Sequence, residues 1–502
     1  MRVVTGPTDH VVVVGAGLGG LACALRLAGA GRRVTVLERE AGPGGRIGQL
    51  AVDGYRFDTG PTVLTMPHLL DETLNAVGER LRGWLDLVRL DPAYRAHFAD
   101  GSSLDIRAST AGTAAEIARL CGPREADGYL RFTDYLAGLY QLEWARFIDR
   151  NLDYPHELLG PDLARLAARG GFRRLSAKVG QFFRDPRTRR VFSFQSLYAG
   201  VAPHRALALY AVIAYLDTVA GVYFPRGGMY AIAEALADAA VKHGVTVGYG
   251  REVTDIEVTG TRARAVRTRD GDRIGADAVV LNPDLPVARR DLLHRPLRRR
   301  LRYSPSCVVL HLGSPAGHDR LAHHNVVFGT AWTQAFDDIT RRGRPMAYPS
   351  LLVTSPTRTD PGLAPAGRHA YYVLAPVPNT EAGIDWRARG RTYGEELLGV
   401  LAARGYPGLA QAEVRHLVTP ADWAHAGLAA GTPFASAHTF RQTGPLRPGN
   451  LAPGLDNVVF VGSGTQPGVG IPMVLVSARL AAQRITRSPG GGARDAGAGY
   501  GP

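Results

Sequence analysis

Residues 11–38, VVVVGAGLGGLACALRLAGAGRRVTVLE, decide how the chain folds. Val11 to Val14 set four β-branched side chains in a row, which suits a parallel strand buried on both faces. Gly15, Gly17 and Gly20 then occupy the three positions of G-x-G-x-x-G. The first lets the chain reverse, the second lets backbone approach a pyrophosphate, and the third lets the helix lie close on the strand. Ala16 and Leu18 stand between them, and Gly19 leaves still less bulk. A helix follows that buries Leu21, Leu25 and Leu27 with small residues between, and Gly29 and Gly31 end it before the strand Val34 to Leu37. Glu38 lies 18 residues beyond Gly20, where an acid at the strand tip accepts hydrogen bonds from an adenosine ribose. Strand, glycine turn, helix, strand and acid in this order read as a dinucleotide grip. Glu38 favours a free ribose hydroxyl over a 2′-phosphate, although the cation beside it, Arg39, leaves that preference incomplete.

A chain of 502 residues is long for one simple core and calls for two connected domains, or for one nucleotide domain with large insertions. The formal charge of +14 implies either affinity for an anionic surface or an arginine-rich solvated exterior. Cys23, Cys121 and Cys307 are far apart and lack CxxC spacing, so neither a disulfide framework nor a metal site is expected, and a reducing cytoplasm fits. The start MRVVTGPTDH has no apolar region of signal-peptide type. The longest apolar run, Ala206 to Leu216, has 11 residues, too few to span a bilayer.

Outward from the grip, Gly42-Pro43-Gly44-Gly45-Arg46 forms a tight loop ending in a guanidinium, which suits phosphate. A hairpin around Asp53-Gly54 leads to Asp58-Thr59-Gly60-Pro61, a path poor in side-chain bulk that suits close approach to a planar ring. From about Met66 to Tyr223 the pattern is helical. Between Arg165 and Arg190 it carries nine Lys or Arg against one acid, either a wet face or a membrane-facing one. The apolar surface around residues 191–230 is compatible with a greasy tunnel. A helix over 230–243 and strands over 245–248, 253–258, 264–268 and 278–281 return to the nucleotide-domain pattern. Arg289 to Arg302 holds seven arginines, a wet helix face or a lipid contact. Residues 303–430 read as strands and proline-rich loops without a catalytic cluster, and His323-His324 reads as surface. Finally, Val458 to Val461 runs into Gly462-Ser463-Gly464-Thr465, and a helix opens with Pro472 at its first position. Its N-terminus would stabilise the anionic end of a reduced flavin.

Taken together, VVVVGAGLGGLACALRLAGAGRRVTVLERE, PGGRIG, YRFDTGPTVL, FFRDPRTRRVFSFQSLYAGVAP, GVYFPRGGMYAIAEALA and FVGSGTQPGVGIPMVLVSARLAA resemble the phytoene desaturase family of FAD-dependent carotenoid oxidoreductases, bacterial and fungal type, over nearly the whole length. The resemblance implies an α/β fold: a Rossmann-like FAD-binding domain of the flavin amine oxidase and GDP-dissociation-inhibitor kind, with an inserted mixed α+β substrate domain. Residues 1–70, 225–290 and 435–487 would form the discontinuous FAD domain, 71–224 and 291–434 the substrate and membrane-facing domain, and 488–502 a disordered tail. The cofactor set expected is Gly15, Ala16, Gly17, Leu18, Gly19, Gly20, Glu38, Arg39, Gly45, Arg46, Asp58, Thr59, Gly60, Pro61, Val253, Gly462, Thr465, Gly470, Ile471, Pro472 and Met473. Ser463 and Gln466 depart from the Ala and His that the family often carries.

The activity so implied is desaturation of phytoene towards lycopene: flavin takes a hydride from one allylic carbon while its neighbour loses a proton. No general base stands out among the carboxylates and histidines. The partners expected are a hydrophobic polyene, an anionic membrane surface met peripherally by a cytoplasmic protein, and oxygen or a quinone as electron acceptor, with no nucleic acid. A later or C30 carotenoid as substrate, another flavin oxidase of the same fold, and a flavin-free isoprenoid-binding protein are the competing readings.

Overall fold

The structure is a computed structural model in which residues 1–487 are described; the tail expected to be disordered, 488–502, lies outside them. Its first layer is a five-stranded parallel sheet in the order Val458–Phe460, Ala278–Leu281, His10–Val14, Arg33–Leu37, Thr246–Gly248. The valine run occupies the centre, with Val11 opposite Ala278 on one side and Val34 on the other. Its side chains alternate between two cores. Val11 and Val13 pack with Leu21 and Leu25 of the helix Leu18–Gly29, whereas Val12 and Val14 pack with Ile256, Val266 and Leu292 on the other face. Every position of such a strand is apolar because both faces are covered. The cover on the second face is the antiparallel sheet Val253–Thr259, Arg262–Thr268, Arg273–Gly275.

The second layer is a seven-stranded mixed sheet in the order Val414–Val418, Ser306–Ser314, His369–Val377, Leu351–Thr354, His324–Val327, Tyr94–His97, Ser103–Ile106. Its pairs are antiparallel except His324–Val327 with Tyr94–His97. Two of its strands come from the stretch expected to be helical, and an 18-residue helix, Trp386–Ala403, lies in the stretch expected to hold strands and loops. That helix hid because Gly390, Gly394 and Gly399 dilute its apolar stripe; tertiary packing of Tyr393, Leu397 and Leu401 on the sheet overrides their poor propensity. The Asp385 carboxylate caps it by accepting from the Arg387 and Ala388 amides, which satisfies two orphan donors.

Two further expectations are corrected. His323 and His324 are buried in the core, not at the surface. The His324 ring bonds Thr354 Oγ1 at 3.0 Å and burial holds its pKa down to about 3, while His323 packs on Phe224. Of the cluster Arg289–Arg302, only Arg289 and Arg290 stand on a helical segment, Ala288–Leu292, and the other five arginines lie on irregular chain. Much of the basic stretch 165–190 is already engaged. Arg174, Arg189 and Arg190 donate to carbonyls of Arg205, Phe183 and Gly329, and Lys178 lies over the Tyr135 ring.

Between the layers, the helix Pro123–Glu143 packs its Phe132 against Phe182, Phe183 and Phe192. The resulting apolar cluster is continuous with the one around Val11 and Val13, so the layers share a core. At the end of the helix Leu18–Gly29, a Cβ on Gly29 would stand 1.9 Å from the Ala76 carbonyl oxygen. Gly29→Ala must force two backbones apart and is expected to lower stability by about 1–3 kcal/mol, read as a shifted midpoint in urea unfolding of the holoprotein with the slope unchanged. Asp127→Asn, exposed on the helix Pro123–Glu143, serves as the unperturbed comparison.

Candidate functional site

Three loops leave the C-terminal ends of adjacent strands in the parallel sheet and meet over its edge: Gly15–Gly17, Asn282–Asp284 and Val461–Gly464. The crevice outside strand C-termini is where open α/β sheets bind ligands. The loops are shaped by what they lack. A Cβ on Gly20 would come 2.1 Å from the Gly15 carbonyl oxygen, so the helix could not leave the turn at this angle. A Cβ on Gly17 or Gly19 would meet the Asn282 amide at 2.6 and 2.7 Å. Asn282 is thus a member of the site that sequence reasoning missed, since only strand order brings the residue after Leu281 beside the glycine turn.

Glu38 ties the second strand to this turn. It is buried, and its Oε2 accepts from the Ala16 amide at 2.6 Å and its Oε1 from the Glu40 amide at 3.0 Å. Each carboxylate oxygen keeps a free lone pair for ribose hydroxyls. The Arg39 guanidinium is held at the cavity wall by the Ala426 carbonyl and Glu40. Arg46 reaches the Ser463 hydroxyl and lies in the field of Asp284, so the departure at Ser463 gives the guanidinium a fixed partner. Burial holds the Asp284 carboxyl above its usual range, and Arg46 partly offsets it. Arg447, also unforeseen, is buried and donates to the carbonyls of Thr465, Ser436 and Ser463. It clamps the C-terminal glycine loop, and burial lowers its pKa to about 10. Nothing local to Arg447 marks it in the sequence.

These loops form one end of a cavity of about 1380 Å³. Gly15, Gly17, Leu18, Gly19, Glu38, Arg39, Gly45, Arg46, Thr59, Gly60, Pro61, Val253, Gly462 and Gly470 to Met473 all line it. Four of the expected residues do not. Asp58 accepts from the Met229 and Tyr230 amides at 2.9 and 3.1 Å, capping the start of the helix Ala231–Lys242, and burial raises its carboxyl to about 6. Thr465 is buried and donates to the Pro448 carbonyl. Ala16 and Gly20 serve through backbone geometry. The last helix begins at Ile471, with Pro472 in its first turn but not as its first residue. Its unpaired N–H groups face the cavity end formed by Gly470 to Met473, a setting that favours anionic charge.

The other end is apolar. Tyr140, Trp144, Phe147, Leu166, Ile213 and Phe328 are among its walls. Ligand pockets usually measure roughly 300–1,000 Å³, so this volume accommodates a dinucleotide and an elongated apolar molecule together. The donor set fits a flavin dinucleotide: an acid for the ribose, side-chain-free backbone for the pyrophosphate, and a helix N-terminus for the pyrimidine edge.

Two variants test this assignment. Gly17→Val introduces a branched side chain where Asn282 already limits the space, and is expected to abolish FAD binding in a folded protein; stoichiometric flavin absorbance after reconstitution would contradict it. Glu38→Gln removes charge-assisted bonds and is expected to weaken FAD by about 1.5–3 kcal/mol, measured by fluorescence titration of the apoprotein.

A family model described as flavin containing amine oxidoreductase matches residues 18–486. The chain is 58% identical over 493 residues to a phytoene dehydrogenase of Streptomyces griseus, covering 97% of each chain. It is 41% identical over 488 residues to a zeta-carotene-forming phytoene desaturase of Myxococcus xanthus, covering 95% of this chain and 93% of that one. An oxidoreductase from Methanosarcina mazei has a similar solved structure, with TM-score 0.60 at 18% identity over 94% of this chain and 99% of the other; at that identity it speaks for the fold alone. Sequence, fold and cradle agree that the chain belongs to the FAD-dependent flavin containing amine oxidoreductases and, within them, to the phytoene desaturase type.

Proposed function

We propose that this protein introduces conjugated double bonds into phytoene, proceeding towards lycopene. The observation that carries the reading is the continuity of the glycine cradle with a long apolar cavity. A C40 hydrocarbon offers no hydrogen-bonding group, so its recognition rests on apolar area and shape, at roughly 25 cal/mol per Å² buried. FAD, when bound, supplies the two-electron acceptor for a hydride from the activated allylic carbon. The chain's own residues align the polyene, exclude water through the aromatic wall, and hold the C-terminal loop rigid through Arg447. Oxygen or a quinone would serve as the terminal electron acceptor. Expression in a host that accumulates phytoene tests the reading. Coloured, more unsaturated products are expected, and their chain length and unsaturation separate phytoene from a later or C30 substrate. Unchanged phytoene with a flavin-loaded protein would defeat it.

The substrate enters from a membrane to which this cytoplasmic protein docks peripherally. No described helix is long and apolar enough to cross a bilayer, yet a C40 hydrocarbon partitions into one. Phe172, Phe440 and Leu446 both line the cavity and are exposed, at 40%, 64% and 39%, and so mark its mouth; Leu159, adjoining the lining residue Leu158, is 74% exposed. Arg299 donates to the carbonyls of Arg441 and Leu446 at the same rim, bonds that leave its charge free to meet anionic lipid. Each such cation contributes about 1 kcal/mol near the surface. In vesicle co-sedimentation, Arg299→Gln with Arg441→Gln is expected to weaken binding at low salt only. Leu159→Ser with Phe440→Ser is expected to weaken it at every ionic strength. Unchanged partitioning of both variants would remove the docking reading.

A further inference from the structure

One carboxyl group stands in the hydrocarbon cavity with nothing to bind. Glu143 is the last residue of the helix Pro123–Glu143, where the chain loosens into the π-helical turn Trp144–Ile148, a distortion frequent at functional sites. It lines the cavity, is 4% exposed, and its Oε1 lacks any hydrogen-bond partner. Burial alone holds the carboxyl well above its usual range, with no cation opposing. The groups facing it are phenols: Tyr135 on its own helix, which also feels Arg169, and Tyr210 from the neighbouring segment. Tyr210 lies within electrostatic reach of both Glu143 and Arg447, and Arg447 holds the carbonyls of Ser463 and Thr465. Glu143 and the C-terminal glycine loop, through Gly462 to Gly464 and Gln466, line the same cavity.

An unpaired carboxyl in an apolar wall destabilises the fold, and a hydrocarbon ligand gains no hydrogen bond from it. The reaction, however, releases a proton in a place that excludes water. We propose that Glu143 accepts this proton, an inference that rests on the desaturase reading above. One carbon of a CH–CH pair gives up hydride, with both bonding electrons, to the bound flavin. The neighbouring C–H bond breaks, its electron pair becomes the new π bond, and its proton passes to the Glu143 carboxylate, which becomes the neutral acid. The substrate loses H⁻ and H⁺, the oxidant is reduced by two electrons, and Glu143 releases its proton to solvent before the next pair is presented. The positive charge developing on the allylic carbons favours the ionised carboxylate at that moment. Asp217 also lines the cavity, and burial lifts its carboxyl to about 8, but Gln195 partly opposes that rise and the Tyr94 and Tyr198 phenols lie close. It is the natural comparison.

The test uses the holoprotein with phytoene in vesicles, reading conjugated product in a single turnover. Glu143→Gln is expected to retain FAD and substrate binding while product formation falls about 100-fold or more. The wild-type rate is expected to rise with pH, because a raised carboxyl must ionise to act; the Gln variant is expected to lose that rise. Two readouts are independent of turnover. In the flavin-free protein, Glu143→Leu is expected to melt at or above the wild-type temperature, since it replaces an unpaired buried carboxyl; a structural role predicts a lower one. Dicyclohexylcarbodiimide, which attacks neutral carboxyls in apolar sites, is expected to label Glu143, and phytoene to block the labelling. A wild-type rate in Glu143→Gln, loss of rate confined to Asp217→Asn, a lower melting temperature in Glu143→Leu, or labelling indifferent to phytoene would each overturn the proposal. A wild-type protein that forms no conjugated product would instead defeat the desaturase reading.

Discussion

The close approach of backbone to backbone at the glycine turn is the constraint on which the rest of the structure depends. With Gly20 Cα packed so near the Gly15 carbonyl that no side chain fits, the helix Leu18–Gly29 leaves the central strand at one angle and lies flat on the sheet. The helices Ile471–Thr486 and Ala231–Lys242 then pack against it, sharing its core through Leu475, Leu480, Ile232 and Leu236. The same scarcity of side chains that allows this packing keeps a channel open above the strand ends. Fold stability and cofactor access thus rest on the same few missing Cβ atoms, which is why substitutions there act on both.

Electrostatics in the site follow from burial more than from pairing. Arg46 and Asp284 oppose each other's charge across the cradle, and Arg447 donates to three carbonyls. A guanidinium has five donors in a rigid fork, so one buried arginine can hold a loop that would otherwise need several polar side chains. Elsewhere the formal charge of +14 is a poor guide to surface potential taken alone. Arginines that bond carbonyls, such as Arg299 and Arg190, are immobilised yet keep their charge, whereas those paired with carboxylates, such as Arg187 with Asp185, contribute little net field.

The apolar end of the cavity is built by elements distant in sequence. Helix residues Tyr140 and Trp144, the segment around Ile213, and the sheet residues Val326 and Leu352 contribute walls, so the large hydrocarbon volume lies between two layers that share one core. Such a cavity lowers the local dielectric constant, which strengthens every charge within it. That is the physical reason the unpaired carboxyl of Glu143 in its wall stands out against the aromatic background.

The sequence by itself determined the nucleotide layer. The glycine spacing, the valine run, Glu38 and the strands near 246–248, 253–258 and 278–281 carry their structure in local chemistry: β-branched runs, positive-φ turns and helix-ending glycines act within a few residues of themselves. It also determined most of the cradle, since Gly45, Arg46 and Gly470 to Met473 stand in motifs. What only the tertiary structure decided was which polar groups face each other and which face nothing. Asp58 looked like a cofactor contact and is a helix cap, because Met229 and Tyr230 come to it from 171 and 172 residues away. His323 and His324 looked wet and are core, because strand order, invisible in a single sequence, sets their burial. Asn282, Arg447 and Glu143 carry no local signature at all: an asparagine after a strand, an arginine in a proline-rich loop and a glutamate at a helix end become site residues only when distant backbone closes around them. Local chemistry specifies elements; the desolvation and pairing that give a side chain its function depend on long-range packing.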